Sequence, residues 1–174
     1  MKFKDLLSLK RGNDLTLSVD DLEKHLTSTP LDVMEQLYSD HGLSSEFQDQ
    51  YADVDINNLR WSLINVEAKS LIQSSIYEDF ENWFLTCIEK SKRVGLTGDY
   101  NLVHNLKCVS KYWKDHKTWD RPPVFFSQEV LSKKNSLHLV EGHSRLGALK
   151  GLVEGNSLSG NDTHMAWIGS YTHA

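Results

Sequence analysis

The residues with the most distinctive chemistry lie in one short segment, EGHSRLGA, at positions 141–148. Gly142 is followed directly by His143, Ser144 and Arg145. The first turn of a helix beginning here would have unpaired N–H groups and partial positive charge, which attract anions such as phosphate. The planar guanidinium of Arg145 would add donors that match phosphate geometry. The segment therefore predicts a phosphate site built from residues 142–145.

The residues on either side indicate how this segment is held. An apolar run within residues 137–140 predicts a short strand. The apolar spacing of residues 146–153 is that of a helix. The glycine would then turn a strand directly into a helix.

The rest of the chain predicts an α+β fold with a small mixed β-sheet and flanking helices. Alternation at Leu59, Trp61 and Leu63 indicates a first strand, and residues 124–126 and 165–168 indicate two more. Helices are expected after a capping-box pattern at residues 75–78 and between Asp99 and Trp113, so the predicted order is β-α-α-β-β-α-β.

The first fifty residues show short helical patterns of their own. Ser18, Thr29 followed by Pro30, and Ser44 or Ser45 are typical helix starts. The acidic, polar stretch at residues 49–55 is the predicted boundary. We therefore expect a helical N-terminal appendage over residues 1–53 and the α+β domain over residues 54–174.

Composition narrows the class of protein. The chain has 174 residues, of which 25% are charged and 39% hydrophobic, an ordinary globular mixture. Its apolar runs are too short to span a membrane, and its first residues lack a signal-peptide core, so a cytoplasmic location is expected. The net charge of −5 argues against extended nucleic-acid binding, which needs clustered Lys and Arg.

Other reactive or bulky residues are interpreted as structural. Cys87 and Cys108 are expected to be buried, reduced thiols, and His138 to face solvent. The histidines share no metal-ligand spacing, so no metal site is predicted. Trp119 is assigned either to the core or to the rim of a pocket near the glycine turn. The tryptophans expected in the core are Trp61, Trp83 and Trp113.

The features from Trp119 to Gly169 resemble the ParB/sulfiredoxin-like superfamily. That family places a turn of the form (D/E)-G-H-x-R-x-x-A after a strand, as residues 141–148 do here, with a proline-then-strand segment upstream, as in residues 122–126. The resemblance covers about residues 54–169. It implies a nucleotide ligand, ATP or CTP with Mg²⁺.

The same resemblance assigns roles to individual residues. It implies phosphate contacts from the four residues after Glu141 and makes Glu141 a candidate catalytic acid, base or metal ligand. Ser144 stands where sulfinic acid reduction requires a cysteine, which argues against that reaction. No helix-turn-helix pattern follows the turn, which argues against DNA clamping. Whether the chain is an enzyme stays open.

Three alternatives remain open. His143 and Arg145 could be purely structural, with Arg145 paired to Glu141 or Glu154. The chain could also be an immunity protein that neutralises a basic bacterial nuclease toxin while its own site is idle. Acidic surfaces speed association with basic partners. The expected contact regions are Asp49–Asp55 and the cluster Glu78, Asp79 and Glu81. A nuclease sharing the same turn is a third hypothesis, although no metal cluster is identifiable.

Overall fold

The computed structural model describes residues 1–11, 16–132 and 137–171. These residues form an α+β fold around a mixed four-stranded sheet with the spatial order β1-β4-β2-β3. Strand β4 pairs antiparallel with β1 and parallel with β2, while β2 and β3 are antiparallel. The strands are β1 (Leu59–Glu67), β2 (Val124–Ser127), β3 (Leu137–Glu141) and β4 (Thr163–Tyr171). The predicted class, α+β with a small mixed sheet and flanking helices, is confirmed.

Helices precede the sheet and connect its strands. Before β1 lie a 3₁₀ turn (Phe3–Ser8), α1 (Val19–His25), α2 (Leu31–Val33), which continues as a π-helical segment (Met34–Ser39), α3 (Ser45–Tyr51) and a 3₁₀ turn (Ile56–Asn58). Between β1 and β2 lie α4 (Ala68–Leu71), a 3₁₀ turn (Glu78–Phe80), α5 (Glu81–Lys92), α6 (Val94–Thr97), a 3₁₀ turn (Tyr100–Leu102) and α7 (Lys107–His116). Helix α8 (Gln128–Leu131) follows β2, and α9 (His143–Glu154) links β3 to β4. None of the described helices is long and apolar enough to cross a membrane.

Strands β2 and β3 are covered on both faces. Val124, Phe126 and Val140 pack with the N-terminal helices, whereas Phe125 and Leu139 pack with the helices that follow β1. Successive residues of a strand point to opposite faces, so these short apolar runs serve two cores at once.

The helices of residues 1–53 form one of those two cores with the sheet. The ring of Tyr51 makes an edge contact with Phe126 at a centroid distance of 5.6 Å. Phe3 is fully buried, and its backbone N–H donates to the carbonyl of Val54 at 2.9 Å. The domain boundary at residue 53 stays a prediction, but the helices before it cover one face of the sheet.

Three sequence predictions about exposure are wrong. His138 is 2% exposed because β3 is covered on both faces, and its ring contacts the hydroxyls of Tyr51 (2.9 Å) and Ser75 (2.7 Å). Cys108 is exposed, since α7 turns Ser110 and Trp113 inward instead. Trp83 is 51% exposed rather than part of the core.

The structure also gives the outcome of four further predictions, for three tryptophans and one helix start. Trp113 is buried as predicted, and Trp61 is half-buried. Trp119 is a core residue, 3% exposed, whose indole N–H donates to the carbonyl of Met165 at 2.8 Å. The helix predicted to follow residues 75–78 begins instead with the 3₁₀ turn at Glu78, because Ser75 bridges to β3.

Candidate functional site

The predicted strand–turn–helix is present. Strand β3 ends at Glu141 and α9 begins at His143. Gly142 between them has φ of 105°, a left-handed conformation that favours glycine. A Cβ added to Gly142 would lie 2.5 Å from the Cβ of Pro123. The glycine is therefore required both by its backbone angle and by the close approach of the segment before β2.

A cavity of about 750 Å³ opens at this turn. Its wall includes all five predicted site residues, 141–145. The volume lies within the range of small-molecule binding sites. The other walls come from the N-terminal helices, the 3₁₀ turn before α5, α5 itself, the α7 region, the segment before β2 and α9. Their residues are Asp40, His41, Phe47, Phe80, Trp83, Val103, His104, Leu106, Val109, Trp113, Asp120, Arg121 and Ala148.

The Arg145 side chain is held inside the protein by three acceptors. It forms an ion pair with Glu141 and donates to the carbonyl of Arg121 at 2.9 Å and to Gln36 Oε1 at 3.1 Å. The Arg145 and Glu141 side chains are only 18% and 20% exposed. Glu154 pairs with Lys92 instead, at 3.6 Å. Arg145 therefore forms the ion pair with Glu141 that the sequence left open, and its contact with phosphate stays a prediction.

The N-terminal helices contribute directly to this network. Gln36, 3% exposed, donates to the carbonyl of Pro122 at 3.0 Å and accepts from Arg145. Arg121 pairs with Asp32 and, at 2.7 Å, with Glu35. The sequence patterns gave no prediction of this contribution. A glutamine among the apolar residues of a helix was the available signal, because a buried amide needs polar partners.

His143 is a buried histidine with an unsatisfied nitrogen. It is 9% exposed, and its ring lies 4.3 Å from that of Phe80. Its Nε2 has no hydrogen-bond partner among the described residues. Burial, together with the positive charges of His41 and Arg145, lowers the pKa of His143 to about 4. The ring is therefore neutral at pH 7 and can offer one donor and one acceptor.

This pKa predicts that acid destabilises the fold. The unfolded chain takes up a proton at His143 near pH 6.5, whereas the folded protein does so only near pH 4. The free energy of unfolding should therefore fall as the pH decreases from 7 to 4.5. We expect His143→Gln, which does not titrate, to remove about 2 kcal/mol of this loss in urea titrations at the two pH values. The control is His116→Gln at an exposed position. Equal acid sensitivity of His143→Gln and the unmodified protein would show that His143 titrates normally.

A second layer of residues, missed by the sequence analysis, lies against Ser144. The indole N–H of Trp83 donates to Ser144 Oγ at 2.9 Å. Cys87 is one helical turn further along α5, and burial raises the pKa of its thiol while a hydrogen bond with Ser144 opposes this shift. A smaller cavity of about 60 Å³ lies among Trp83, Cys87, His104 and Ser144. The i,i+4 spacing of Trp83 and Cys87 was the signal that they share a helix face.

The charges around the cavity are largely paired. Both arginines, Arg121 and Arg145, contact carboxylates, and Asp40 and Asp120 add negative charge to the wall. Within residues 1–11, 16–132 and 137–171, no group of three or more His, Cys, Asp or Glu side chains could hold a metal ion. An anion would therefore be bound mainly by the N–H groups of the α9 first turn.

No protein-family model, curated protein or solved structure matches this chain. The ParB/sulfiredoxin-like resemblance rests on residues 119–169 alone and stays a prediction.

Proposed function

We propose that this protein binds a nucleotide or another phosphate-bearing ligand in the 750 Å³ cavity, with the phosphate at the first turn of α9. The observation that carries the proposal is that the cavity opens on Gly142, His143, Ser144 and Arg145 together. We further propose that the fold is of the ParB/sulfiredoxin-like kind and that the protein works in the cytoplasm.

Three physical features support a phosphate at this position. The first N–H groups of a helix have no partner within the helix, and α9 is long enough, at twelve residues, to have a substantial dipole. The Ser144 side chain, which accepts from Trp83, also lies in this first turn and lines the cavity. The neutral His143 adds a ring nitrogen without a partner in the described protein.

The proposal assigns Mg²⁺ and Glu141 subordinate roles. Mg²⁺ would arrive with the nucleotide, since phosphates and a few carboxylates are its usual ligands. Glu141 is the one carboxylate of residues 141–148 and lines the cavity, so it is our candidate acid or base if the bound ligand is turned over.

A single charge placed in the first turn tests this proposal. Ser144→Asp should fold normally, because an acidic residue suits the start of a helix, but its carboxylate would repel phosphate. ATP or CTP with Mg²⁺, at about one hundred times its dissociation constant, should stabilise the unmodified protein by about 2.7 kcal/mol. We expect Ser144→Asp to lose most of this stabilisation in a thermal-shift assay.

The matched control for this experiment is Ser144→Asn. It has nearly the same shape as Ser144→Asp and no charge, and its amide oxygen can still accept from Trp83. We expect it to retain most of the ligand-induced stabilisation. If ATP, CTP, GTP and pyrophosphate all leave the melting temperature of the unmodified protein unchanged, the proposal is wrong.

An alternative function, toxin immunity, has one structural observation in its favour. Charges from both acidic regions predicted as contacts act on Tyr77, whose pKa is raised by its hydrogen bond with Asp79 and also by the charges of Asp49 and Glu78. These three carboxylates form an acidic surface that a basic nuclease toxin would complement. The test is inhibition of such a nuclease by the purified protein. Inhibition that is lost in Asp49→Lys/Asp79→Lys would favour this function, and no inhibition would argue against it.

A further inference from the structure

The half-exposed indole of Trp83 forms part of the cavity wall. Trp83 is 51% exposed, although most of the large aromatic residues of the described chain are buried. It lines both the large cavity and the 60 Å³ cavity beside it. Exposure of an apolar side chain of this size to water is unfavourable. A ligand that covers the indole therefore gains binding free energy from its burial.

The position of this indole is fixed. Its N–H donates to Ser144 Oγ at 2.9 Å, and Ser144 is the second residue of α9. The ring edge is therefore tied to the same turn at which we place the phosphate. An aromatic surface that is held in advance stacks on a ligand without losing further side-chain freedom.

The remaining surroundings favour a flat, apolar group rather than a second charge. The cavity wall that contains Trp83 also includes the apolar side chains of Phe80, Val103 and Leu106. Leu106 is also 59% exposed. His143, nine-tenths buried, belongs to the same wall, and its Nε2 has no hydrogen-bond partner among the described residues.

From this arrangement we infer that the ligand has a planar aromatic ring, which stacks on Trp83 while its phosphate occupies the first turn of α9. This inference rests on the proposed function and narrows it to a nucleotide. In a nucleotide only a ribose separates the base from the first phosphate, and the 2.9 Å bond between Trp83 and Ser144 requires a similarly short separation. Trp83 is then a binding residue that gives selectivity for the base.

Calorimetric titration of the full chain with five probes tests the inference: ATP, CTP, cytidine, inorganic pyrophosphate and ribose 5-phosphate. We expect ATP and CTP to bind more tightly than pyrophosphate and ribose 5-phosphate. Trp83→Ala should weaken the binding of ATP and CTP by about tenfold, as expected for loss of one base–aromatic stack, and leave pyrophosphate binding unchanged. Trp83→Phe should retain most of the affinity because it keeps an aromatic ring, although it loses the bond to Ser144.

The control is Leu96→Ala, which truncates a side chain that is 91% exposed and does not line either cavity. It should bind all five probes as the unmodified protein does.

Two outcomes would overturn the inference and leave phosphate binding intact. One is that nucleotides bind to Trp83→Ala as tightly as they bind to the unmodified protein, and the other is that pyrophosphate binds as tightly as the nucleotides. Cytidine that binds in a Trp83-dependent way, with no binding of pyrophosphate, would instead support the stacking surface and contradict the phosphate site. If Trp83→Ala fails to fold, quenching of tryptophan fluorescence by CTP reports the same contact. The quenching is compared between the unmodified protein and Trp83→Phe. Reduced quenching in Trp83→Phe supports the inference, and equal quenching overturns it.

Discussion

Gly151→Ala should lower the free energy of unfolding by about 3 kcal/mol and the melting temperature by roughly 6–12 °C. Helices α5 and α9 approach so closely at Gly151 that an added Cβ would lie 2.3 Å from the carbonyl oxygen of Ile88 and 2.9 Å from the backbone nitrogen of Lys92. These are backbone atoms, so the clash can be relieved only by moving a helix. The measurement is urea unfolding followed by circular dichroism.

The sign of this result is informative. In an ordinary helix, alanine is more favourable than glycine by about 1 kcal/mol, so Gly151→Ala would stabilise the protein if the two helices were further apart. Gly160→Ala is the control. The atom nearest to its added Cβ would be the Cβ of Lys69 at 3.6 Å, which is an ordinary contact. We expect the control to change the free energy by less than about 0.5 kcal/mol. An increase in stability for Gly151→Ala would contradict the close approach of α5 and α9.

This packing also matters for the candidate site. Helix α5 contains Trp83 and Cys87, and α9 contains Ser144, which contacts both of them. The distance between the two helices therefore sets the position of the indole relative to the first turn. We expect Gly151→Ala protein that remains folded to bind nucleotide more weakly than the Gly160→Ala control.

Arg145→Ala should lower the free energy of unfolding by about 3 kcal/mol. The variant would leave the Glu141 carboxylate, Gln36 Oε1 and the Arg121 carbonyl without their common donor. Uncompensated polar groups are costly when they are screened from water, and the Glu141 side chain is only 20% exposed. Urea unfolding at pH 7 measures the loss. Arg60→Ala, at an exposed position on β1, is the control and should change the free energy by less than about 0.5 kcal/mol.

A double variant separates the two interpretations of Arg145. Arg145→Met combined with Glu141→Gln removes both charges, so its loss of stability should be smaller than the sum of the two single variants. Arg145→Ala protein with unchanged stability but no nucleotide binding would instead show that the guanidinium serves the ligand and not the fold. Comparing unfolding with binding in the same variant therefore distinguishes a structural arginine from a binding arginine.

Local patterns in the sequence predicted the strand–turn–helix around Gly142 correctly. The apolar run of β3, the glycine and the helical spacing of α9 are neighbours in the chain, and the backbone angles of a turn depend on neighbouring residues. The same holds for the presence of β1 and for the burial of Trp113 on α7. Each of these features depends on residues that lie close together in the chain.

Exposure at single positions was predicted less well. His138 alternates with apolar residues, which is typical of a solvent-facing position in a sheet covered on one side. In the fold both faces of β3 are covered, so His138 lies in the core. Trp83 has the type and spacing of a core residue but lies at the rim of a cavity. Which side of an element is covered depends on other elements far away in the chain.

The sequence by itself determined that residues 141–148 form a turn into a helix with a free first turn, because that outcome follows from short-range backbone geometry. Only the tertiary structure decided what surrounds the turn. It brought Gln36 and His41 from the N-terminal helices and Trp83 from α5 to the same cavity, and it paired Arg145 with Glu141. The bonds of Gln36 with Arg145 and of Trp83 with Ser144 join residues 109 and 61 positions apart, and no local pattern encodes them because they arise from burial of apolar surface on both faces of the sheet.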